Sequence, residues 1–171
     1  MNSGQRRRKE YVARTVDDRI IKEGLCALAT LKDFPDKRDS YAVMGGMATQ
    51  SYLPTFCRRP TIDIDVLLGV PLGRSEFNDF VGSIRDYLQD NGYGVERFRK
   101  SMSFKLEATS PEDETILLEF SRFNKSSYPK ETVERELGNS RRKVVEGTDT
   151  EYQVLAPEDI VAPKIGRLAF L

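Results

Sequence analysis

The chain has 171 residues, a length typical of one domain or of one domain with a small appendage. Hydrophobic residues make up 39% of it, which is enough for a packed core at this size. The 27 basic and 27 acidic side chains give a formal net charge of zero, so the total charge gives no reason to expect nucleic-acid binding and leaves only local basic patches to consider.

The composition also limits the chemistry. The sequence contains no histidine, which excludes serine–histidine and cysteine–histidine catalysis and histidine zinc sites. Catalysis would have to use carboxylates, lysines, a metal ion or backbone amides, and two-metal phosphoryl transfer meets that restriction. Cys26 and Cys57 have no metal-ligand spacing and make a poor disulfide framework.

No apolar run approaches the roughly 18 residues that cross a membrane, and residues 1–10 lack the apolar core of a signal peptide. We therefore expect a cytoplasmic protein without a membrane partner. Residues 5–31 predict an amphipathic helix, with apolar residues at roughly helical spacing. The basic run Arg6–Lys9 before it favours a solvated end, with a contact to RNA or phosphate as the alternative.

Residues 41–53 predict a strand, a glycine turn and a helix. Tyr41–Met44 forms the strand, and Gly45 and Gly46 lead into the helix, where Thr49 lies in the first turns. Glycine lets the backbone approach a ligand closely, and the free amides at a helix N-terminus suit a triphosphate. A tight turn without a ligand is the alternative interpretation.

Residues 61–68 predict a strand in which aliphatic and polar residues alternate. Asp63 and Asp65 are two positions apart, so they project from one face, while Ile64 and Val66 project from the other. Neighbouring carboxylates repel each other, and a divalent cation such as Mg2+ is the usual reason for keeping them together. A purely structural role for the pair is the alternative.

A glycine pair, a helix, an arginine and then Thr61-Ile-Asp-Ile-Asp65 on a strand resemble the nucleotidyltransferase superfamily, with its polymerase-beta-like fold. The chain is most similar to the AbiEii-type proteins, some of which are toxins. The resemblance is carried by residues 43–68 and continues more weakly into residues 117–120 and 155–164. It implies that Gly45, Gly46 and Thr49 bind a nucleotide and that Arg59 orients the strand or contacts the phosphates. A surface arginine is the alternative for Arg58 and Arg59.

The next residues predict a helix from the N-cap Ser75 to about Asn91, then strands over 94–99, 102–108 and 115–122. Glu119 lies within the most apolar of these strands, where an unpaired buried charge would cost several kcal/mol. The resemblance implies that Glu119 is the third catalytic carboxylate and that it shares the metal with the aspartates. An ordinary edge glutamate is the alternative, and Glu107 is the competing candidate for the third carboxylate.

The last part of the chain predicts a helix over 129–138, a basic loop at residues 141–143, a strand near 152–155 and a helix from Pro157. In the proteins it resembles, a segment like Leu155-Ala-Pro-Glu-Asp-Ile160 leads to a lysine near the active site. The resemblance therefore implies that Lys164 contacts the NTP. Pro163 departs from that pattern because it would kink or restart the helix.

We therefore expect an α/β (α+β) nucleotidyltransferase fold, a small mixed sheet with helices packed against it. An N-terminal helix (1–35), a core (36–128) and a truncated C-terminal extension (129–171) would compose it. Asp63, Asp65 and Glu119 would hold Mg2+ or Mn2+, and the protein would transfer NMP from an NTP to RNA such as tRNA, to a protein or to a small molecule. A cognate antitoxin is an expected partner. A catalytically silent module that binds nucleotide or another protein is the alternative.

Overall fold

The computed structural model describes residues 18–33, 41–54, 57–58, 61, 63–69, 74–99, 103–122 and 129–161. The predictions for Arg6–Lys9, Arg59, Pro163 and Lys164 lie outside these residues. The elements in chain order are α1 (Asp18–Ala29), a short 3-10 helix (Thr30–Asp33), β1 (Tyr41–Met44), α2 (Gly45–Gln50), β2 (Asp63–Leu68), α3 (Arg74–Asp90), β3 (Gly94–Arg99), β4 (Ser103–Thr109), β5 (Thr115–Arg122), α4 (Lys130–Gly138), β6 (Arg141–Val144) and β7 (Glu151–Val154).

The strands form one mixed sheet in the order β3-β4-β5-β2-β1-β7-β6. The pairs β2–β5 and β1–β7 are parallel, and the other neighbouring pairs are antiparallel. The sheet thereby places β2 and β5, which are far apart in sequence, side by side near its centre. β6 and β7, which the sequence assigns to a C-terminal extension, continue the same sheet beyond β1.

The two faces of the central strands differ in chemistry, because side chains alternate along a strand. Ile64 and Val66 of β2 are fully buried, as are Ile116, Leu118 and Phe120 of β5, whereas the residues between them are only partly buried. α1 packs against the apolar face, where Gly24 lies against Ile64 and Ile116. The opposite face, which carries the aspartates, is therefore the one left for chemistry.

The sequence predicts the C-terminal end of α3 better than its N-terminal end. Gly92 has φ +84°, and the amides of Gly92 and Tyr93 donate to the carbonyls of Gln89 and Leu88 over 3.0 Å each. This is a left-handed glycine cap, and α3 ends at Asp90, close to the Asn91 that the sequence predicts. The predicted N-cap Ser75 is wrong, because α3 begins at Arg74 and Ser75 lies within it. Helix starts are commonly misplaced by one or two residues.

The basic segment 141–143 is a strand, so the prediction of a loop is wrong. β6 pairs antiparallel with β7, and Lys143 lies opposite Tyr152. Arg141 is 3.4 Å from Glu158, Arg142 is 3.8 Å from Glu151, and the Lys143 ammonium lies 4.3 Å from the centre of the Tyr52 ring. The pattern hides this strand because an edge strand tolerates charge on both faces and has no apolar alternation.

Two further expectations are confirmed. Pro129 stands at the N-cap position of α4, and residues 157–161 are helical after Ala156.

Among the helices that the structure describes, none combines the length and apolar character needed to cross a membrane. Cys26 and Cys57 are free thiols.

The contact of α1 with the sheet gives a stability prediction, because Gly24→Ala and Gly82→Ala make the same change in two helices. At Gly82 no atom from another part of the described chain lies within 4 Å of an added Cβ, so alanine should stabilise the protein by about 0.5–1 kcal/mol. At Gly24 the added Cβ would lie 2.7 Å from Ile64 Cδ1 and 3.0 Å from Ile116 Cγ2. Overpacking of this kind costs about 1–3 kcal/mol. Both variants gain the same helix propensity, so urea unfolding should show Gly24→Ala to be less stable than Gly82→Ala by the overpacking cost of about 1–3 kcal/mol. Equal stabilities would contradict the tight contact.

Candidate active site

Three carboxylates lie on one face of the two central strands. Asp63 and Asp65 share a face of β2, and the parallel ladder places Asp65 beside Glu119 and Asp63 beside Leu117. Neighbouring strands are about 4.8 Å apart. Asp65 and Glu119 are therefore neighbours on adjacent strands, and Asp63 lies two residues before Asp65 on the same face of β2.

The competing carboxylate, Glu107, lies farther from the aspartates. Glu107 belongs to β4. It lies opposite Leu117 of β5 on one side and opposite Glu96 of β3 on the other. The whole of β5 separates Glu107 from Asp63. Of the two glutamates, only Glu119 stands on the strand next to the aspartate pair.

Thr61 lies beside the first aspartate of β2. Its Oγ1 is 3.2 Å from Oδ1 of Asp63 and 3.1 Å from the Asp63 carbonyl oxygen. A hydroxyl has one hydrogen to donate, so it alternates between these two acceptors. Both contacts hold the start of β2 in place and orient the Asp63 side chain.

The two glycines of the turn have different roles. Met44 pairs with Asp65 across the β1–β2 ladder, so Gly45 follows at the level of that carboxylate. Gly45 has φ +68°, and a Cβ there would collide with Oδ2 of Asp65 and lie 3.1 Å from its Cγ. At Gly46 the nearest atom of the described residues to an added Cβ is Thr61 Oγ1, at 3.8 Å. Of the two glycines, Gly45 is the one required both for its backbone conformation and for its close approach to Asp65.

The electrostatics of the site are unfavourable for Asp65 as an anion. Its pKa is raised from 3.8 to about 6, chiefly by burial and also by the negative charges of Asp63 and Glu119, while the positive charge of Lys105 opposes the shift. A carboxylate that resists ionisation beside two others is the arrangement that a bound cation would relieve. Their oxygen atoms are the hard ligands that Mg2+ or Mn2+ prefers.

Glu119 has a partner that sequence reasoning missed. Lys105 is opposite Glu119 in the β4–β5 ladder, and its Nζ forms an ion pair with Oε2 of Glu119. The sequence predicts that a shared metal stabilises this glutamate, whereas the structure supplies a lysine. The alternation of polar and apolar residues in β4 shows that Lys105 projects from the polar face of that strand. It does not show which residue of β5 lies opposite Lys105, because that depends on the register between the two strands.

The donor set fits a divalent cation through its chemistry, but its side chains are not gathered around one point. Among the described residues, no group of three histidine, cysteine, aspartate or glutamate side chains is arranged to hold a metal ion. The ion pair with Lys105 ties Oε2 of Glu119 to a β4 side chain, on the far side of β5 from Asp65. Asp63 and Asp65 remain as adjacent oxygen donors.

Of the other residues predicted to bind the nucleotide or to lie near it, the structure describes Thr49 and Arg58. The Thr49 hydroxyl donates to the Gly45 carbonyl over 3.0 Å and so closes the first turn of α2. Arg58 donates through Nε to the Leu53 carbonyl over 3.1 Å, and its Nη1 is 3.0 Å from Glu146. These contacts stabilise the segment that leads from α2 towards β2. Arg59 and Lys164 are outside the described residues.

A cavity of about 110 Å3 lies behind α2, away from the carboxylates. Side chains of α1, of α2 with the residues that follow it, and of the β6–β7 hairpin line it, among them Lys22, Gln50, Arg58, Thr61 and Lys143. None of the three carboxylates contributes to its wall. Thr61 lines this cavity and also contacts Asp63.

Comparisons with known proteins give the fold a name. No family model and no curated protein matches the sequence. Among solved structures, an antigenic nucleotidyltransferase-like protein from Paracoccidioides brasiliensis matches with a TM-score of 0.51 and 21% identity, over 84% of this chain and 64% of that one. MenT4, the nucleotidyltransferase toxin Rv2826c from Mycobacterium tuberculosis H37Rv, matches with a TM-score of 0.51 and 14% identity, over 88% of this chain and 51% of that one.

The chain therefore has a nucleotidyltransferase fold, which confirms the fold that the sequence predicts. At these identities the likeness extends to the fold alone. The chain spans 64% and 51% of the lengths of these two proteins. The finer placement among AbiEii-type proteins stays a prediction.

The contrast between the two glycines is testable. Gly45→Ala puts a side chain into the left-handed region, which costs about 1–2 kcal/mol, and also drives a methyl group into the Asp65 carboxylate. We expect the free energy of unfolding, measured with urea, to fall by at least that amount. Gly46→Ala, which meets no atom closer than 3.8 Å, should change it by less than about 1 kcal/mol. Equal losses in the two variants would show that Gly45 does not press against Asp65.

Proposed function

We propose that this domain is a divalent-metal-dependent nucleotidyltransferase that moves a nucleoside monophosphate from an NTP to a hydroxyl group. One observation carries the proposal: the β2–β5 register puts Asp63, Asp65 and Glu119 on one face of the sheet, with Asp65 against the Gly45 backbone. The fold is consistent with this activity. The absence of histidine from the sequence leaves carboxylates as the natural acid–base groups.

Asp63 and Asp65 would hold Mg2+ or Mn2+, with Glu119 as a third oxygen ligand. A metal bound there supplies positive charge for the transferring phosphate, the main requirement of such catalysis. Thr61 fixes the position of Asp63. Gly45 lets Asp65 lie against the backbone of the turn, where a side chain would displace it.

The reaction forms one bond and breaks one. The acceptor oxygen bonds to the α-phosphorus, the bond from that phosphorus to the bridging oxygen breaks, and pyrophosphate leaves. Glu119 takes the proton of the acceptor hydroxyl, because it is the carboxylate nearest to the aspartates on the neighbouring strand. Contacts of the nucleotide with Gly45, Gly46, Thr49, Arg59 and Lys164 belong to the same proposal.

The partners remain at the level of classes. The acceptor would be an RNA such as a tRNA, a protein or a small molecule, and the expected compartment is the cytoplasm. One structure that shares the fold is named a toxin, and the sequence resembles proteins of which some are toxins. A cognate antitoxin is therefore part of the proposal.

One observation favours a second candidate function, a catalytically silent module that binds nucleotide or another protein. Lys105 already neutralises Glu119, and a lysine could keep that carboxylate out of catalysis permanently. The two candidates differ in one product. The enzyme and a nucleotide-binding form of the silent module would both bind an NTP, but only the enzyme releases pyrophosphate.

The activity is tested by incubating the protein with Mg2+, each α-labelled NTP and three acceptor pools, namely total RNA, cell protein and small hydroxyl compounds. We expect label in one pool together with pyrophosphate release. Asp63→Asn/Asp65→Asn should abolish both. NTP binding in calorimetry without pyrophosphate release would support the silent module.

The third carboxylate is tested with a matched pair in the same assay. Glu119→Gln should lower turnover by about 100-fold or more, the usual loss for a general base. Glu107→Gln removes the same charge from the same face one strand farther away, and it should retain most of the activity. The reverse result would assign the role to Glu107, and turnover that survives the double aspartate substitution would refute the proposed function.

A further inference from the structure

Lys105 stands in line with the proposed site. Across β4, β5 and β2, the registers place Lys105 opposite Glu119 and Glu119 beside Asp65. Glu119 thus has a cation on one side and the aspartates on the other. Its carboxylate has two alternative partners, the Lys105 ammonium or an ion held by Asp63 and Asp65.

This ion pair is more sheltered than the surface pairs of the protein. The side chains of Lys105 and Glu119 are 21% and 26% exposed, whereas those of Lys130 and Glu134 are both 59% exposed. Solvent and salt screen sheltered charges less, and exposed pairs contribute little. Solvent therefore screens the Lys105 charge less than it screens a fully exposed lysine.

We propose that Lys105 is a positioning residue that acts as the internal counter-ion of Glu119 and competes with a divalent cation for it. This inference rests on the proposed function, because the cation is the one assigned to Asp63 and Asp65. The ammonium offsets part of the negative charge that the three carboxylates present to each other. Recruitment of Glu119 to the metal ion releases Lys105, and the lysine thereby sets the affinity of the site for metal.

The direction of the effect follows from charge alone. Lys105→Met keeps most of the side-chain length but removes the competitor and one positive charge near the metal position. We expect Mn2+ to bind roughly three- to tenfold more tightly, the order expected for one unit charge at short range in a partly screened site. Lys105→Arg keeps the charge and should stay within about twofold of the wild type.

The experiment is calorimetric titration of Mn2+ into the purified chain without nucleotide, so that it does not depend on turnover. Lys130→Met is the matched control, because it removes a lysine charge from the exposed pair with Glu134, and it should leave the Mn2+ affinity unchanged. In a Glu119→Gln background, Lys105→Met should lose most of its effect, because competition for that carboxylate is gone and only direct repulsion between the lysine and Mn2+ remains. Lys105→Gln provides a second neutral variant if Lys105→Met folds poorly.

The outcomes separate this inference from the proposed function. Unchanged or weaker Mn2+ binding in both neutral variants, with normal binding in the wild type, overturns the role of Lys105 alone. Equal tightening in Lys130→Met also overturns it, because the effect would then be one of net charge. A wild-type chain that binds Mn2+ no better than Asp63→Asn/Asp65→Asn overturns the proposed metal site and this inference together.

Discussion

Repulsion among carboxylates on one face of the central strands is the constraint on which the rest of the structure depends. Asp65 has a pKa raised to about 6 by burial and by the charges of Asp63 and Glu119. Folding gains nothing from such a group, and hydrophobic packing on the opposite face has to hold the strands that carry it. Ile64, Val66 and the apolar residues of β5 supply that packing. The sheet is thus a rigid support whose apolar face stabilises what its polar face destabilises.

The connections between the strands bring Glu119, Lys105 and Gly45 to the face of the sheet that carries the aspartates. Parallel pairing of β2 with β5 needs a long crossover, and α3, β3 and β4 lie within it. That crossover brings Glu119 beside Asp65, and the antiparallel return through β4 brings Lys105 beside Glu119. At the other side of β2, β1 leads directly into Gly45, whose left-handed backbone makes room for the Asp65 carboxylate. Charge, counter-charge and turn are all fixed by strand register.

Much of this could be predicted from sequence, because local patterns determine it. The alternation in residues 61–68 and 115–122 predicts the two strands and their faces, and the helix expected to end at about Asn91 ends at Asp90. The strand at residues 141–144 was missed, since an edge strand rich in arginine and lysine has no apolar period. The Lys105–Glu119 pair was missed for a different reason: it depends on the register between strands, which no local pattern specifies. The same limit applies to the difference between Gly45 and Gly46, which appears only when Asp65 is seen against the turn.

The central claim is that a divalent cation holds Asp63 and Asp65 together on the open face of the sheet. Anomalous diffraction from crystals soaked with Mn2+ and a non-hydrolysable NTP tests it most directly. The account predicts a manganese peak within bonding distance of both aspartates, with the carboxylate of Glu119 turned away from Lys105 towards the metal. Manganese bound elsewhere, with the two aspartates free of metal, would contradict it.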